Sequence, residues 1–516
     1  MAAAGGLIGP GRKLVLIGFM GAGKTTAAQA AARALGARAA DLDAVVEQRL
    51  GKPIAEVFVQ DGEPAFRAAE ESAALELLQA PDADVVALGG GTVMHEAVRD
   101  ALRDHLVLWL DVEPQTAWSR AQGEARPLAR DSAAFERLLA EREPAYSSLA
   151  DAVVPAQRSS DMQAVLDALQ DVPAGVKLLW AASASADYPV YVGPGLLERG
   201  FWPPRVAGRR FLVTDGQVGR LYAGRLEPLA GRVAIMPGEQ SKTVAHADVV
   251  WSELARAGMT RQDVVVALGG GVVGDLAGFC AATYQRGVGW VGVPTTLVAQ
   301  VDSAYGGKTG VDLAEAKNYV GVYHQPSAVI VDPATLESLP EAEVAAGYAE
   351  VVKTALIAGG ELWRAVSAGA DPLDPEIILA CALVKLRVVA RDERDGGVRQ
   401  VLNLGHTVGH AIETVTGYAR FRHGEAVGLG LLAALRLSGQ SELRAEVAGL
   451  LAARGLPIVM EDVDPDAVVM ATAWDKKRLG DEPVGFVLLD GPGSPNVGQP
   501  VESRALIGAV RELAAG

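Results

Sequence analysis

Cysteine is scarce in this sequence. Only Cys280 and Cys381 occur among 516 residues, which excludes a disulfide framework and is typical of a protein that works in a reducing compartment. The first 13 residues lack an extended apolar region with a cleavage site, so we expect no signal peptide. Both observations favour a cytoplasmic location.

Long apolar runs and an excess of positive charge are also missing. No apolar run reaches the roughly 18 residues that a membrane span needs, so we expect no membrane association. The net charge of −16 argues against binding to nucleic acid. The length predicts two to four domains of about 100–200 residues each.

Lysine is uncommon for a chain with this many basic residues. Of 47 basic residues, 36 are Arg and 11 are Lys. In a chain that prefers Arg, a Lys indicates a need for a compact point charge or a pKa that the surroundings can shift. Seven of the 11 lysines lie in residues 178–516: Lys242, Lys308, Lys317, Lys353, Lys385, Lys476 and Lys477.

Histidine is rare as well, but three of the seven histidines lie close together. His406, His410 and His423 fall within 18 residues. The first two are four residues apart and would share one face of a helix. Two or three imidazoles with a carboxylate suit zinc with one position left open for chemistry. The alternative is an ordinary helix with two polar side chains and an exposed histidine in the following loop.

A phosphate-binding loop stands near the start of the chain. An apolar run from Lys13 predicts a buried strand that leads into Gly18-Phe-Met-Gly-Ala-Gly-Lys-Thr-Thr26, a complete P-loop, and then a helix over 27–35. Lys24 would reach the β- and γ-phosphates and the Thr25 hydroxyl would bind Mg²⁺. The predicted ATP-binding residues of the loop are Gly21, Ala22, Gly23, Lys24, Thr25 and Thr26.

Five further motifs follow the P-loop in order: Asp41-Leu-Asp43, Gly62–Glu70, Val85–Gly91, Arg126-Pro-Leu and Arg142–Tyr146. Together with the loop, they resemble shikimate kinase over the first third of the chain. The resemblance implies an α/β P-loop domain, a parallel sheet with helices on both faces, that phosphorylates shikimate with Mg²⁺ and ATP.

The resemblance also implies roles for single residues. Asp41 would join Thr25 in holding Mg²⁺, and Arg120 would lie near the adenine. Lys24, Asp43 and Arg126 would act in catalysis, where Asp43 orients the attacking hydroxyl and Arg126 reaches the transferring phosphate from a lid. The arginines offer the planar fork that a carboxylate prefers. The implied shikimate-binding residues are Asp43, Arg67, Gly89, Gly90, Gly91 and Arg142.

A domain boundary is expected near residue 174. A last strand from Asp151 and a helix over 161–170 are followed by Asp171-Val-Pro-Ala-Gly, which breaks the helix. Two strands are predicted within 176–192, and another at 210–215 that ends in an Asp-Gly turn. The strand 263–268 leads into Gly269-Gly-Gly-Val-Val-Gly-Asp275, a weak match to the dinucleotide-binding fingerprint when taken alone.

An ordered series of motifs surrounds that turn: Pro237–Thr243, Pro294–Gly310, Lys317-Asn318, Gly347–Lys353, Arg399–His406 and Asp475-Lys-Lys477. The series resembles 3-dehydroquinate synthase to the end of the chain. The resemblance implies an NAD-binding α/β part (175–334) and a helical metal-binding part (335–516), a site in the cleft, and a homodimer formed through this module. The implied cofactors are NAD and Zn²⁺, or another divalent metal such as Co²⁺.

The residues implied by this second resemblance form three sets. The metal ligands would be Glu350, His406 and His423, while His410 moves to the substrate or to proton transfer. The NAD set is Asp215, Glu239, Lys242, Gly271, Val272, Val273, Gly274, Asp275, Thr295, Thr296, Lys308 and Lys317. The substrate set is Asp302, Lys308, Lys317, Asn318, Lys353, Lys385, Arg399, Asn403, His410 and Lys476 or Lys477, of which Lys308, Lys353, Arg399 and His410 would be catalytic.

The implied substrate, 3-deoxy-arabino-heptulosonate 7-phosphate, carries a carboxylate and a phosphate, which a site rich in cations suits. One hydride would pass to NAD and return, so that NAD is recycled while phosphate and 3-dehydroquinate form. The whole chain would then be a bifunctional enzyme of the shikimate pathway, acting on small molecules. One alternative is a metal-dependent polyol dehydrogenase as the second module, against which the cations argue. Another is that one module survives only as a binding or regulatory domain.

Overall fold

The computed structural model describes residues 7–9, 11–122, 131–313, 316–474 and 485–515. Three predicted site residues, Arg126, Lys476 and Lys477, therefore lie outside the described residues. The chain divides into two units. The first comprises Met1–Ala182, Pro189–Tyr191 and Phe201–Val206, and the second comprises Ser183–Tyr188, Val192–Gly200 and Ala207–Gly516.

The first unit contains parallel strands in the order β2-β3-β1-β4-β5-β6. Every residue of β1 is buried, as expected for a strand covered on both faces. The predicted α/β fold with a parallel sheet is confirmed. The strands are β1 Leu14–Ile17, β2 Ala39–Asp41, β3 Val85–Ala87, β4 Leu106–Asp111, β5 Ala152–Pro155 and β6 Lys177–Ala181. The helices are α1 Lys24–Leu35, α2 Leu42–Leu50, α3 Ile54–Gln60, α4 Glu63–Gln79, α5 Glu96–Leu102, α6 Pro114–Ala121, α7 Ser132–Leu149 and α8 Gln163–Ala168.

The second unit begins with another parallel arrangement, in the order β14-β11-β10-β8-β9. One face of it packs on two helices through buried apolar side chains. The strands are β7 Tyr188–Val192, which the division between the units crosses, β8 Arg210–Asp215, β9 Leu229–Ile235, β10 Val264–Gly269, β11 Gly289–Pro294, β12 Lys308–Leu313, β13 Ala316–Tyr323 and β14 Ala328–Val331. The helices are α9 Gly216–Tyr222, α10 Val244–Arg256 and α11 Gly271–Thr283.

Two local predictions for this region had different outcomes. The two strands expected within 176–192 are present as β6 and β7. The expected turn after Asp215 is wrong, because the carboxylate of Asp215 accepts hydrogen bonds from Gln217 N and Val218 N, both at 2.8 Å, and starts α9. Asp is a favourable N-cap residue, and this preference outweighed the turn tendency of the Asp-Gly pair.

The rest of the second unit is mainly helical, as predicted. Its helices are α12 Glu341–Ala358, α13 Gly360–Ser367, α14 Pro375–Arg391, α15 His406–Val415, α16 His423–Leu437, α17 Ser441–Ala453, α18 Pro465–Trp474 and α19 Ser503–Ala515. The hairpins are β12 with β13, and β15 Gly485–Leu489 with β16 Pro495–Pro500.

Close helix contacts bring the candidate metal ligands together. At Gly424 a side chain would collide with the carbonyl of Ala346 on α12, and at Gly430 with the carbonyl of Gly405 at the start of α15. These glycines let α16 approach both other helices at backbone distance. A short π-helix, Ala299–Ser303, carries Asp302; such segments are frequent at functional sites. Among the described residues, no helix is long and apolar enough to cross a membrane.

Candidate active sites

The P-loop connects β1 to α1, and its lysine side chain contacts the backbone of the loop. Gly21 and Gly23 have φ of 77° and 86°, and a methyl group at Gly21 would meet the carbonyl of Ala117. Lys24 begins α1, and its Nζ donates to the carbonyls of Gly18 and Phe19 at 2.9 and 3.1 Å. The loop thus gathers an ammonium group at a helix N-terminus, an arrangement that suits phosphate.

The two predicted Mg²⁺ ligands meet beside the loop. The Thr25 hydroxyl donates to Asp41 Oδ2 at 2.5 Å, while Asp41 Oδ1 accepts from Asp43 N at 3.0 Å and caps α2. A hydroxyl and a carboxylate oxygen side by side fit a hard cation that keeps most of its water. Arg120 lies against the loop as well, because its guanidinium donates to the carbonyl of Gly21 at 2.9 Å.

The predicted shikimate residues converge on the glycine turn after β3. Arg142 is buried and donates to the carbonyl of Gly90 at 3.1 Å. A methyl group at Gly91 would overlap the guanidinium of Arg67, and one at Gly89 would lie 3.3 Å from Asp43 Oδ1. The glycines thus let these side chains approach the backbone closely, and two arginines and a carboxylate surround the turn.

Two residues of this site were missed from the sequence. Glu70 is 1% exposed, and it accepts from Arg67 at 2.7 Å and from the Thr92 hydroxyl at 2.9 Å. Burial lowers the pKa of Arg67, but the charge of Glu70 outweighs it and raises that pKa. Tyr146 donates its hydroxyl to the carbonyl of Gly90. The spacing of Arg67 and Glu70, three apart on a helix, was the available signal.

In the second unit, three helices bring one carboxylate and two imidazoles together. Glu350 Oε1 lies 3.6 Å from His406 Nε2 and 3.3 Å from His423 Nε2, and the three potential ligand atoms lie within 4.8 Å of one another. Glu350 is fully buried, and within the described residues neither of its oxygens accepts a well-directed hydrogen bond. A buried carboxylate oxygen that faces two imidazole nitrogens at once fits a divalent metal.

The protonation states of these groups indicate the same need for positive charge. Burial raises the pKa of Glu350, but Lys353 and the histidines outweigh burial, so the pKa lies well below its usual range. Burial lowers the pKa of His406 to about 3. Burial alone would lower the pKa of His423, yet its contacts with Glu350 and Glu413 raise that pKa to about 10. Glu350 and Glu413 thus place a carboxylate on each side of the His423 ring.

Glu413 is a further residue near this site that was not identified from the sequence. Its carboxylate is buried, with Oε2 at 3.4 Å from His423 Nδ1 and Oε1 at 3.4 Å from Lys317 Nζ. Burial raises the pKa of Glu413, whereas the hydrogen bond to His423 and the nearby cations lower it to about 2. With His410 and His423, it forms another group within metal-binding distance. His410 itself is exposed.

A chain of buried charges continues from the metal set. Lys353 Nζ lies 2.5 Å from Glu350 Oε2 and 2.9 Å from Asp302 Oδ2, and Lys385 pairs with the other oxygen of Asp302. Burial raises the pKa of Asp302, but the two lysines outweigh it and lower the pKa to about 2. Burial lowers the pKa of Lys385. Three predicted substrate residues therefore form one network next to the metal set.

Other predicted substrate residues have separate partners. The guanidinium of Arg399 is 1% exposed and donates to the carbonyl of Gly306 at 3.1 Å and to that of Glu393. Lys308 has a side chain that is 49% exposed and forms an ion pair with Asp395 at 2.5 Å. Asn403 is exposed one turn before His406. The structure does not bring these three into the buried network by hydrogen bonding.

The glycine turn after β10, where the family resemblance implies NAD, borders a cleft. The cleft is lined by Gly269, Gly270, Gly271, Gly274, Asp275, Ser303 and Lys308 among others. A methyl group at Gly271 would lie 3.1 Å from Ser303 Oγ, and this buried hydroxyl and that of Thr295 have no hydrogen-bond partner among the described residues. A glycine cradle with unsatisfied polar atoms fits a dinucleotide.

Several predicted NAD residues form a polar network that reaches the cleft at Asp275. Lys242 is buried, lies 2.5 Å from Asp275 Oδ2 and donates to Asn318 Oδ1. Burial raises the pKa of Asp275, and Lys242 offsets part of this effect. Glu239 pairs with Lys317 at 3.3 Å.

Four further NAD candidates have local structural roles. Thr296 accepts from Ala299 N at 3.3 Å, and Asp215 caps α9. Val273 belongs to the hydrophobic core, with Val272 packed against it. A phosphate would be contacted by the backbone of these two valines at the start of α11.

Comparison with known proteins agrees with this geometry. Residues 232–346 match the family model described as 3-dehydroquinate synthase N-terminal, and residues 347–478 match the one described as 3-dehydroquinate synthase C-terminal. The 3-dehydroquinate synthase of Halorhodospira halophila (strain DSM 244 / SL1) is 44% identical over 332 residues, which is 61% of this chain and 93% of that protein. The chain belongs to the 3-dehydroquinate synthase family.

The first third of this synthase-family chain matches another family. Residues 20–173 match the shikimate kinase model, so a shikimate kinase domain precedes the synthase domains. The predicted bifunctional architecture is confirmed.

Two solved structures resemble the synthase part. A 2-deoxy-scyllo-inosose synthase complexed with carbaglucose-6-phosphate, NAD⁺ and Co²⁺ is 26% identical and covers 65% of this chain and 100% of its own, with a TM-score of 0.59. The 2-epi-5-epi-valiolone synthase of Streptomyces hygroscopicus subsp. jinggangensis 5008 with NAD⁺ and Zn²⁺ bound is 25% identical, covers 64% and 98%, and also has a TM-score of 0.59.

Proposed function

We propose that this chain catalyses two reactions at separate sites, with the domain boundary near residue 174. Residues 1–174 phosphorylate shikimate with ATP. Residues 175–516 convert 3-deoxy-arabino-heptulosonate 7-phosphate to 3-dehydroquinate and phosphate, with the NAD-binding part at 175–334 and the metal-binding part at 335–516. The observation that carries the second reaction is the buried Glu350 carboxylate, which faces two imidazole nitrogens beside a chain of buried cations.

In the kinase domain, residues of the chain position the reactants and neutralise charge. The loop backbone and Lys24 hold the ATP phosphates, and Thr25 and Asp41 would hold Mg²⁺, which neutralises phosphate charge when bound. Asp43 accepts a hydrogen bond from the attacking hydroxyl. Arg67, kept in place by Glu70, and Arg142 bind the shikimate carboxylate.

In the synthase domain, Glu350, His406 and His423 would hold a zinc or cobalt ion. When bound, the metal supplies Lewis acidity toward a substrate hydroxyl, and NAD at the Gly269–Gly271 turn supplies the hydride acceptor. Lys353 and Lys385, balanced by Asp302, offer positive charge to a doubly anionic substrate. His410 is exposed beside the metal set, where it accepts or donates a proton.

The reaction is tested by following phosphate and NADH together in the purified chain. With 3-deoxy-arabino-heptulosonate 7-phosphate, NAD and Zn²⁺ or Co²⁺, we expect phosphate release without net NADH. Net NADH without phosphate would instead support a polyol dehydrogenase. For the kinase domain we expect ADP formation that depends on shikimate. Failure of this second assay would indicate that the first domain only binds its ligands.

We also propose that the protein is cytoplasmic and forms a homodimer through the synthase module. The low cysteine content supports the location. Light scattering on the purified chain and on residues 175–516 tests the assembly. We expect two copies in both samples, and a monomer in either would contradict this proposal.

A further inference from the structure

Glu413 lies between a metal-ligand candidate and a lysine of the NAD-binding part. It is on α15, seven residues after His406, and therefore on the same helix face. Only 3% of the residue is exposed. One carboxylate oxygen faces His423 Nδ1 and the other faces Lys317 Nζ, both at 3.4 Å. Each oxygen of this buried group thus has its own partner.

The contact with His423 has a consequence for the opposite nitrogen of that ring. If Nδ1 carries the hydrogen and donates it to Glu413, the lone pair of Nε2 is free to bind a metal. Nε2 is the atom that lies 3.3 Å from Glu350 Oε1. Carboxylates that hold a ligand histidine in this way fix its tautomer and ring orientation.

From this geometry we propose that Glu413 is a positioning residue that orients His423 and thereby tightens metal binding. The inference rests on the proposed function of Glu350, His406 and His423 as metal ligands. It assigns Glu413 no direct contact with the metal or with the substrate.

The competing possibility is that Glu413 is itself a ligand, together with His410 and His423. Two observations argue against it. Both oxygens of Glu413 already have a partner, Lys317 for one and His423 Nδ1 for the other, whereas Glu350 Oε1 faces two imidazole nitrogens at once. His410 is exposed. The Glu350 set is therefore the better candidate for a metal ion.

Lys317 restricts the position of the Glu413 carboxylate. Its ammonium also lies 3.3 Å from Glu239 Oε1 and 4.2 Å from the centre of the Tyr418 ring. An ammonium group held by two carboxylates and an aromatic face has little freedom to move. The carboxylate that it contacts is held toward His423.

The inference is tested in the full chain with Glu413→Gln and Glu413→Ala. Competition with a chromophoric chelator measures the affinity for Zn²⁺, and the visible spectrum of the Co²⁺ form reports ligand geometry. We expect affinity to fall about 10- to 100-fold, more for Ala than for Gln, with a changed Co²⁺ spectrum. Glu413→Asp should recover part of the affinity. Shikimate phosphorylation and the unfolding temperature of the metal-free chain serve as controls for folding.

Three further variants separate the possible outcomes. Glu393→Gln changes another buried carboxylate of the same unit, which accepts from Ser185 and Gln325, and it should leave metal affinity unchanged. Glu350→Gln should weaken metal binding strongly, and His410→Ala should not.

Wild-type affinity in both Glu413→Gln and Glu413→Ala would overturn the inference. So would a loss in His410→Ala that matches the loss in the Glu413 variants, since Glu413 would then be a ligand. If the wild-type chain binds neither metal, the proposed function fails first.

Discussion

The two sites hold their key lysines in opposite ways. In the kinase domain, Lys24 is held by two carbonyl oxygens of its own loop, only five and six residues away in sequence. In the synthase domain, Lys353 is 1% exposed and lies between the carboxylates of Glu350 and Asp302. The first site is built by local backbone conformation, and the second by a balance of buried charges. Substitution of Lys24 should therefore lower activity alone. Substitution of Lys353 should lower both activity and stability.

The largest expected effect separates the two activities. Lys24→Ala removes the cation that contacts the ATP phosphates, so shikimate phosphorylation should fall at least about a hundredfold while phosphate release by the synthase domain is retained. His406→Ala removes a metal ligand and should have the reverse effect. Steady-state assays of both reactions on both variants check this. Parallel loss of the two activities in a folded chain would contradict independent sites.

Stability should respond differently to two lysine substitutions within the synthase unit. Lys353→Met leaves two buried carboxylates without their shared counter-charge and should cost about 3–5 kcal/mol of unfolding free energy. Lys308→Met removes a lysine whose side chain is 49% exposed, and should cost about 0–1 kcal/mol. Urea unfolding of the metal-free chain measures both. Equal costs would show that buried charge balance does not stabilise the site.

The contributions of Asp302 and Asp151, one carboxyl group from each unit, to folding stability should change with pH in opposite directions. The pKa of Asp302 is lowered to about 2, so its stabilising contribution is present above the unfolded value of about 3.9 and is lost as pH falls below it. Burial raises the pKa of Asp151, so its contribution is present below about pH 3.9 and is lost as pH rises through the folded value.

Asparagine variants at both positions test this difference. Asp302→Asn should destabilise the protein at neutral pH and less at about pH 3.5. Asp151→Asn should change stability by about 1 kcal/mol or less, and its effect should be more favourable at neutral pH than in acid. Unfolding curves at the two pH values check both. The same pH trend for the two variants would contradict the assigned pKa shifts.

The smallest expected effect concerns the glycine turn of the kinase domain. Tyr146→Phe removes the hydroxyl that donates to the carbonyl of Gly90, so the turn loses about 1 kcal/mol of support. The KM for shikimate should rise about fivefold with little change in kcat. Tyr191→Phe loses a similar bond, to the carbonyl of Ala168 at 2.9 Å, and is the matched control. An equal rise in KM in the control would indicate a general loss of stability.

More of the P-loop site than of the metal site could be predicted from the sequence, and the reason is physical. The P-loop, the flanking strand and the helix are local, so their order along the chain predicts their arrangement. Glu350 lies 56 residues before His406, and no periodicity links them; only the resemblance to a family brought them together. The contacts of Gly424 and Gly430 that align the three helices depend on tertiary packing.

The sequence did not reveal which side chains would contact the predicted site residues in the folded protein. Glu70 and Glu413 are ordinary helix residues in the sequence, and their function depends on the charge that they face after folding. Asp215 was expected in a turn but starts a helix. Arg399 was expected to bind substrate, yet in this structure it contacts two backbone carbonyls.

One chain with two sites of different metal requirement can be tested by metal exchange. Tightly bound metal is removed with a chelator, the protein is exchanged into Mg²⁺, and both reactions are followed in the same sample. We expect full shikimate phosphorylation, no phosphate release from 3-deoxy-arabino-heptulosonate 7-phosphate, and recovery of that release on adding Zn²⁺ or Co²⁺. Phosphate release that persists in the chelated, Mg²⁺-exchanged protein would contradict it.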